Sequence, residues 1–289
     1  MTTRRGRAPS RGPNPATHVV AVDIGNSAAK WSIRGVAAKS TDERRVSVRD
    51  SRWAARFVDG VDAEIAGAGP IRFHAASVNV PALQRLHRRL RTLGRGDELR
   101  VITGADCPMT TRLPNPSRLG IDRLLAAWRA SRVAPGKWCV VIDAGSAITV
   151  DCAHPDGVFL GGAILPGIAL QFESLGRGTD ALPTLDHLDG GSSWPDVSVP
   201  ATTTDTAIRA GVWLGTAAAI DGMIDRTLAG VKLSSKTSAS RSKYEVFLTG
   251  GDAERLSPLL SHPHHLHANL VLEALLDESL DRAPTAVDR

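Results

Sequence analysis

The sequence predicts a mixed α/β fold made of two similar halves, each a mixed sheet with flanking helices. Three observations carry this reading. A short acidic-glycine turn is written twice, as Asp23-Ile24-Gly25-Asn26-Ser27 and Asp143-Ala144-Gly145-Ser146-Ala147, each after an apolar run at 19–22 and 139–142. The order strand meander, helix, strand, helix recurs in both halves, as expected of helices packed on twisted sheets. Of 289 residues, 42% are hydrophobic and 22% charged, which suits a packed globular core.

Each element follows from local pattern. Residues 1–17 carry Arg4, Arg5, Arg7, Arg11, Pro9, Pro13 and Pro15 without apolar periodicity, and predict a disordered basic tail. Residues 18–22 form a strand entering the first turn, and 31–35 and 44–48 continue an antiparallel meander by partial alternation. A helix passes through 54–58. A strand at 72–78 is stopped by Pro81, which suits the first turn of a helix over 81–93. That helix has Leu83, Leu86 and Leu90 on one face and Arg85, Arg88 and Arg89 on a solvated one. Another strand follows at 99–102.

Pro114-Asn115-Pro116 breaks the chain before a helix over 121–132, with Leu124, Leu125 and Trp128 on its apolar side. Residues 138–142 and 148–152 make a hairpin around the second turn, 157–163 add a strand, and 164–167 lead into a helix through Leu175. Residues 176–203, rich in Gly, Pro, Ser, Thr and Asp, read as a long functional loop. The helix over 205–228 carries Gly211, Gly215 and Gly222, small residues that admit close approach of another helix. A buried strand at 244–248 ends in Thr249-Gly250-Gly251-Asp252, and a last helix spans 270–280. The halves are expected at 18–131 and 135–281.

Composition narrows the function classes. The formal charge is +5, but most of the excess sits in the tail, and no folded basic face carries a reading motif, so nucleic-acid binding is not expected. No run of 18 apolar residues predicts a membrane span, and the tail lacks the apolar stretch of a secretory signal. Cys107, Cys139 and Cys152 lack metal spacing and read as reduced thiols of a cytoplasmic protein. His262, His264, His265 and His267, interrupted by Pro263, read as a solvated loop rather than a metal site.

The two turns hold the parts that phosphate chemistry needs. Glycine lets the backbone turn and approach a ligand closely. Its exposed N–H groups and the neighbouring hydroxyl hold phosphate oxygens. The aspartate holds a cation or its bound water.

At this point the chain resembles the type III pantothenate kinases, a family of the acetate-and-sugar-kinase/heat-shock-70/actin superfamily. The resemblance runs from about His18 to Leu280. It is carried by Asp23-Ile24-Gly25-Asn26-Ser27, Asn115-Pro116-Ser117-Arg118-Leu119-Gly120-Ile121-Asp122-Arg123, the stretch from Asp143 to Asp151, Gly161-Gly162-Ala163-Ile164-Leu165-Pro166-Gly167 and Leu248-Thr249-Gly250-Gly251-Asp252-Ala253. It implies two actin-like (ribonuclease H-like) halves with a nucleotide cleft between them, and ATP-dependent phosphorylation of pantothenate to 4′-phosphopantothenate, the first step toward coenzyme A. It also implies Mg2+, a monovalent cation (K+ or NH4+) and a homodimer.

Residue roles come with the resemblance. Asp122 is the expected general base, and Gly120, Ile121, Asp122, Arg123 and Thr204 the substrate contacts. Gly25, Asn26, Ser27, Lys30 and Ser146 would face the ATP phosphates, and Thr249, Gly250 and Gly251 the adenosine. Asp143 would hold the monovalent cation, and Asp23 magnesium-bound water. Departures are visible too. Leu113 stands where many members have a pocket Tyr, Ser27 and Ser146 replace threonines, Thr203-Thr204 replaces Asn-Thr, and Ala28 and Ala29 replace hydroxyl residues. The missing Tyr and the basic tail keep two other readings open: a catalytically impaired relative acting as a regulatory binding protein, and a kinase for another small alcohol.

Overall fold

The structure, a computed structural model, describes residues 18–36, 44–65, 69–187, 197–233 and 242–281. The basic tail and the middle of the long loop lie outside them. The first sheet is built from β1 (His18–Ile24), β2 (Ala28–Ile33), β3 (Arg45–Ser47), β4 (Ile71–Ser77) and β5 (Glu98–Val101), in the order β3-β2-β1-β4-β5. The first three are antiparallel neighbours, while β4 and β5 run parallel to β1. Helices α1 (Trp53–Ile65) and α2 (Val80–Leu93) supply the parallel crossovers. Their apolar sides close a core with Val20, Val22, Trp31, Phe57, Phe73 and Leu86. At the start of α2 the Asn79 side chain accepts the Ala82 N–H at 3.1 Å, and the helix stops at Gly94 with φ +66.

The second sheet repeats the plan. Its strands are β6 (Thr110–Thr111), β7 (Trp138–Ala144), β8 (Ala147–His154), β9 (Val158–Pro166), β10 (Tyr244–Thr249) and β11 (His265–Leu266). The order is β11-β10-β7-β8-β9-β6. With β6 set aside, β7 to β11 occupy the places of β1 to β5, with the same parallel and antiparallel senses. Two copies of this order, the ribonuclease H-like one, make the fold actin-like.

Helices α4 (Ile168–Gly178) and α5 (Thr204–Gly230) follow β9. They cover one face of the sheet, where Ile208, Val212, Trp213, Ile220 and Leu228 meet Val140, Ile142 and Leu248. By length and composition α5 could cross a membrane, but this apolar side is spent on that core. The crowded threonines before it are resolved by a capping box, in which Thr203 Oγ1 accepts the Thr206 N–H at 3.2 Å and Thr206 returns the bond.

Between the two sheets lie α3 (Ile121–Val133) and, after the short α6 (Ala253–Leu256), α7 (Leu270–Leu275). Their core takes Ala21 and Ala76 from the first sheet and Cys139, Val141 and Phe247 from the second, around Leu125, Trp128 and Leu270. The chain's last described helices are also tied to the first sheet: Arg34 donates to Leu276 O at 2.8 Å, and buried His74 bonds Leu275 O at 2.9 Å.

Three expectations need correcting. The last helix is not continuous over 270–280; it breaks after Leu275, and α8 (Glu278–Asp281) restarts because Asp277 Oδ1 accepts the Ser279 N–H at 3.0 Å. The histidine segment is not a free loop, since His265 and Leu266 pair with Phe247 and Leu248. Asp221 on α5 also accepts the Ser261 and His262 N–H groups. The second strand begins at Ala28 rather than Trp31, because the turn before it is tight.

Close approach fixes one glycine. Gly250 has φ +105, and a Cβ there would lie 2.5 Å from the backbone of Ala144. Backbone cannot step aside as a side-chain tip can. Gly250→Ala is therefore expected to destabilise the protein by at least about 3 kcal/mol, checked by denaturant unfolding.

Candidate active site

The two acidic-glycine turns are hairpin tips on neighbouring sheets. In the first, the Gly25 N–H donates to Ala28 O at 3.0 Å, and in the second the Gly145 N–H donates to Ala147 O at 3.1 Å. The second tip is one residue shorter, so its hydroxyl follows the glycine directly. The shift brings both hydroxyls to one place: Ser27 Oγ and Ser146 Oγ are 2.7 Å apart although 119 residues separate them.

Behind the tips, register sets the charges. Asp23 lies opposite Lys30 across β1–β2, and Lys30 opposite Arg45 across β2–β3. Asp143 lies opposite Thr149 on one side and Thr249 on the other. The third turn is locked to the second by Gly250 against Ala144 and by the Asp252 N–H donating to Ala144 O at 3.0 Å. Thr249 is buried, while Gly251 is open toward the Arg45 guanidinium, 3.8 Å from where a Cβ would sit.

Asp122 is set in the first turn of α3, after the N-cap Gly120. Its Oδ1 accepts the Arg123 N–H at 2.8 Å. A Cβ on Gly120 would come within 2.5 Å of that oxygen, which explains why a glycine precedes the acid by two. Here the obstacle is a side-chain tip and the backbone is ordinary for any residue. Gly120→Ala should leave unfolding stability within about 1 kcal/mol of wild type and move the carboxylate instead. Turnover is expected to fall by about 10- to 100-fold, since a misplacement near 1 Å carries a penalty of that size. Melting and kinetics on the same preparation check it.

Electrostatics join the acids. Burial pushes Asp23 up to about 7, with Asp122 and Asp143 adding to the rise and Lys30 opposing it. Burial likewise lifts Asp143 to about 6, against Lys30 and with help from Asp122 and Asp151. Asp122 is raised by burial and held back by the Arg123 N–H and charge. Asp252, raised by burial, feels His187, Arg255, Arg45 and Lys30. Three half-buried carboxylates from three separate motifs thus lie within electrostatic reach of one another, and Lys30 acts on two of them.

Other expected site residues fall around this centre in different ways. Asn26 and Ser146 are exposed at the tips, Gly25 and Ile121 half-buried. Arg123 pairs with buried Asp151 rather than standing free. Thr204 opens α5 exposed, and among the described residues no hydrogen bond or ion pair joins it to the carboxylates. Leu113 packs on the central core, 3.3 Å from where a Gly161 Cβ would be. Ala29 is fully buried, so a hydroxyl there would face the core and not a ligand. Sequence reasoning assigned no role to Asp151, Asp252 or Arg45. The two aspartates stand inside the quoted motifs, but their partners come only from strand register and helix packing.

Among the described residues no three His, Cys, Asp or Glu side chains converge as a ready-made metal cage. The donor set is instead Asp23 and Asp143, half-buried carboxylates that both feel Lys30. That suits a hard cation that takes one or two carboxylates and completes its shell with water and phosphate oxygens.

Comparison with known proteins follows the same outline. The model of a family described as type III pantothenate kinase matches residues 19–226. The chain is 34% identical to a type III pantothenate kinase of Halorhodospira halophila, over 91% of this chain and 98% of the relative. It is 36% identical to one of Alkalilimnicola ehrlichii, over 89% and 96%, and 32% identical to one of Rhodopirellula baltica, over 89% and 97%.

Proposed function

We propose a residue-level mechanism on the premise that this chain belongs to the type III pantothenate kinase family. It is a kinase that phosphorylates pantothenate at the expense of ATP, in the first step of coenzyme A biosynthesis. The observation that carries the mechanism is the contact of Ser27 with Ser146 at two turns that follow Asp23 and Asp143, with Asp122 in electrostatic reach of both acids.

In this reading Gly25, Asn26, Ser27 and Ser146 hold the phosphates through N–H and hydroxyl groups, and Lys30 balances their charge. Thr249, Gly250 and Gly251 lie along the adenosine. Arg123, Gly120, Ile121 and Thr204 hold pantothenate, and Leu113 supplies an apolar wall in place of an aromatic one. Asp122 accepts the proton of the primary alcohol as its oxygen bonds to the γ-phosphorus and the bond to the ADP oxygen breaks. Phosphoryl transfer depends mainly on such positioning and charge neutralisation. Asp23 would hold magnesium-bound water and Asp143 a monovalent cation, and bound there these ions would neutralise phosphate charge.

The chain is read as a homodimer. Gly211, Gly215, Ala218 and Gly222 form a line of small residues along α5; the first three are exposed, and a Cβ on any of the glycines would meet nothing within 4 Å. A cytoplasmic location fits three buried free cysteines and a substrate pair of soluble metabolites. The halves are taken to meet between α3 and β7, near residues 131–135.

The test is ADP release with ATP, Mg2+ and K+ against a panel of small alcohols. Turnover should depend on pantothenate. Equal or greater turnover with another alcohol would reassign the substrate.

A further inference from the structure

The mechanism above leaves Asp151 without a task, yet its carboxylate is among the most deliberately housed in the protein. It lies on β8, 2% exposed, 28 residues from Arg123 in sequence. It accepts Arg123 Nε at 3.0 and 3.2 Å, and Arg123 Nη2 on the same side of the guanidinium. The guanidinium also lies over the Phe159 ring, 5.8 Å from its centroid. One edge and one face of the guanidinium are thereby taken. Among the described residues Nη1 makes no hydrogen bond.

Room for the carboxylate comes from the neighbouring strand. Gly162 is the cross-strand partner of Asp151. A Cβ on it would stand 2.4 Å from Asp151 Oδ1 and 2.1 Å from Val150 O. A buried carboxylate is expensive unless paired, and breaking such a pair is strongly destabilising. A free arginine carries considerable rotamer entropy that a ligand must quench on binding. Fixing the fork beforehand removes that penalty from the binding step.

We propose that Asp151 is a positioning residue for the kinase reaction: it clamps Arg123 in one orientation and leaves Nη1 to donate to an anionic oxygen of the acid substrate. This rests on the reading of Arg123 as a pantothenate contact. Because the Arg123–Asp151 pair is net neutral, Nη1 acts as a directional donor more than as a charge.

The test is a double-mutant cycle in steady-state kinetics of the full chain, with Arg123→Ala, Asp151→Asn and both together, and melting as a check on folding. Arg123→Ala should raise KM for pantothenate by about 10- to 100-fold, the scale of one charge-assisted hydrogen bond. Asp151→Asn should raise it by at least about fivefold while KM for ATP stays within about twofold. In the Arg123→Ala background, Asp151→Asn should add nothing, since it acts only through Arg123. Unchanged KM in Asp151→Asn, or effects that multiply in the double variant, would overturn the proposal while leaving Arg123 as a contact. Unchanged KM in Arg123→Ala would instead remove the reading beneath it. Should Asp151→Asn not fold, nitrogen–proton NMR of the wild-type arginine side chains decides. A slowly exchanging Arg123 Nε–H before pantothenate is added supports the clamp, and a freely rotating, fast-exchanging one overturns it.

Discussion

Asp122→Asn is expected to lower kcat for pantothenate phosphorylation by about 10²- to 10⁴-fold, the usual worth of a positioned general base, with KM for ATP within about twofold. The amide is close to isosteric and can still accept the Arg123 N–H that fixes the side chain at 2.8 Å. It loses only the capacity to take a proton. The bland alternative is that Asp122 serves the helix dipole of α3, an effect of under about 1 kcal/mol on stability that leaves kcat nearly untouched. Its place argues against that. A carboxyl acting only on a helix end needs no burial and no electrostatic contact with Asp23. Burial raises Asp122 above the ordinary carboxylate range, which makes it a better proton acceptor once ionised. Quench-flow kinetics with saturating ATP separates the two, because only the base hypothesis slows the chemical step.

The second large effect runs in two directions at once. Asp23→Asn should abolish at least about 99% of activity, since it removes a carboxylate from the phosphate and cation site, yet it should stabilise the metal-free protein at pH 8. The sign follows from the direction of the shift. Asp23 sits at about 7 in the folded protein against 3.8 when unfolded, so folding favours its protonated form. That contribution is fully present below 3.8 and is lost as pH rises through 7, leaving a charge whose burial Lys30 offsets only in part. Asparagine carries no such charge. The variant is therefore expected to match wild type near pH 4 and to exceed it by about 1–3 kcal/mol at pH 8 in EDTA. Urea unfolding at both pH values measures the gap. A gap that stays constant across that range would mean that Asp23 titrates as an ordinary surface carboxylate.

Much of this site was legible because its parts sit at strand ends. A run of apolar residues followed by Asp and Gly states where a strand stops and what stands there, and both copies do so. Helices α2, α3 and α5 were similarly visible from their periodicity, with Pro81 at the start of α2 and Pro114-Asn115-Pro116 breaking the chain before α3. What sequence could not supply was partnership across distance. Arg123 and Asp151 meet only because α3 crosses β8, and Asp151 fits only because Gly162 faces it in the β8–β9 register. The contact of Ser27 with Ser146 depends on a one-residue difference in turn length. Strand β11 has two residues, too few for any periodicity to declare it. The break before α8 was hidden by an unbroken apolar pattern, because the deciding bond belongs to the Asp277 side chain.

The central claim is that the acids behind Ser27 and Ser146 direct a phosphoryl group from ATP to the pantothenate hydroxyl, not to water. Phosphorus NMR of the reaction with equimolar ATP and pantothenate, in Mg2+ and K+, reads the acceptor directly. The account predicts a phosphomonoester resonance coupled to a methylene group, growing as the γ-phosphate signal falls and missing in Asp122→Asn. Inorganic phosphate growing in its place, or a monoester formed equally well by Asp122→Asn, would contradict it.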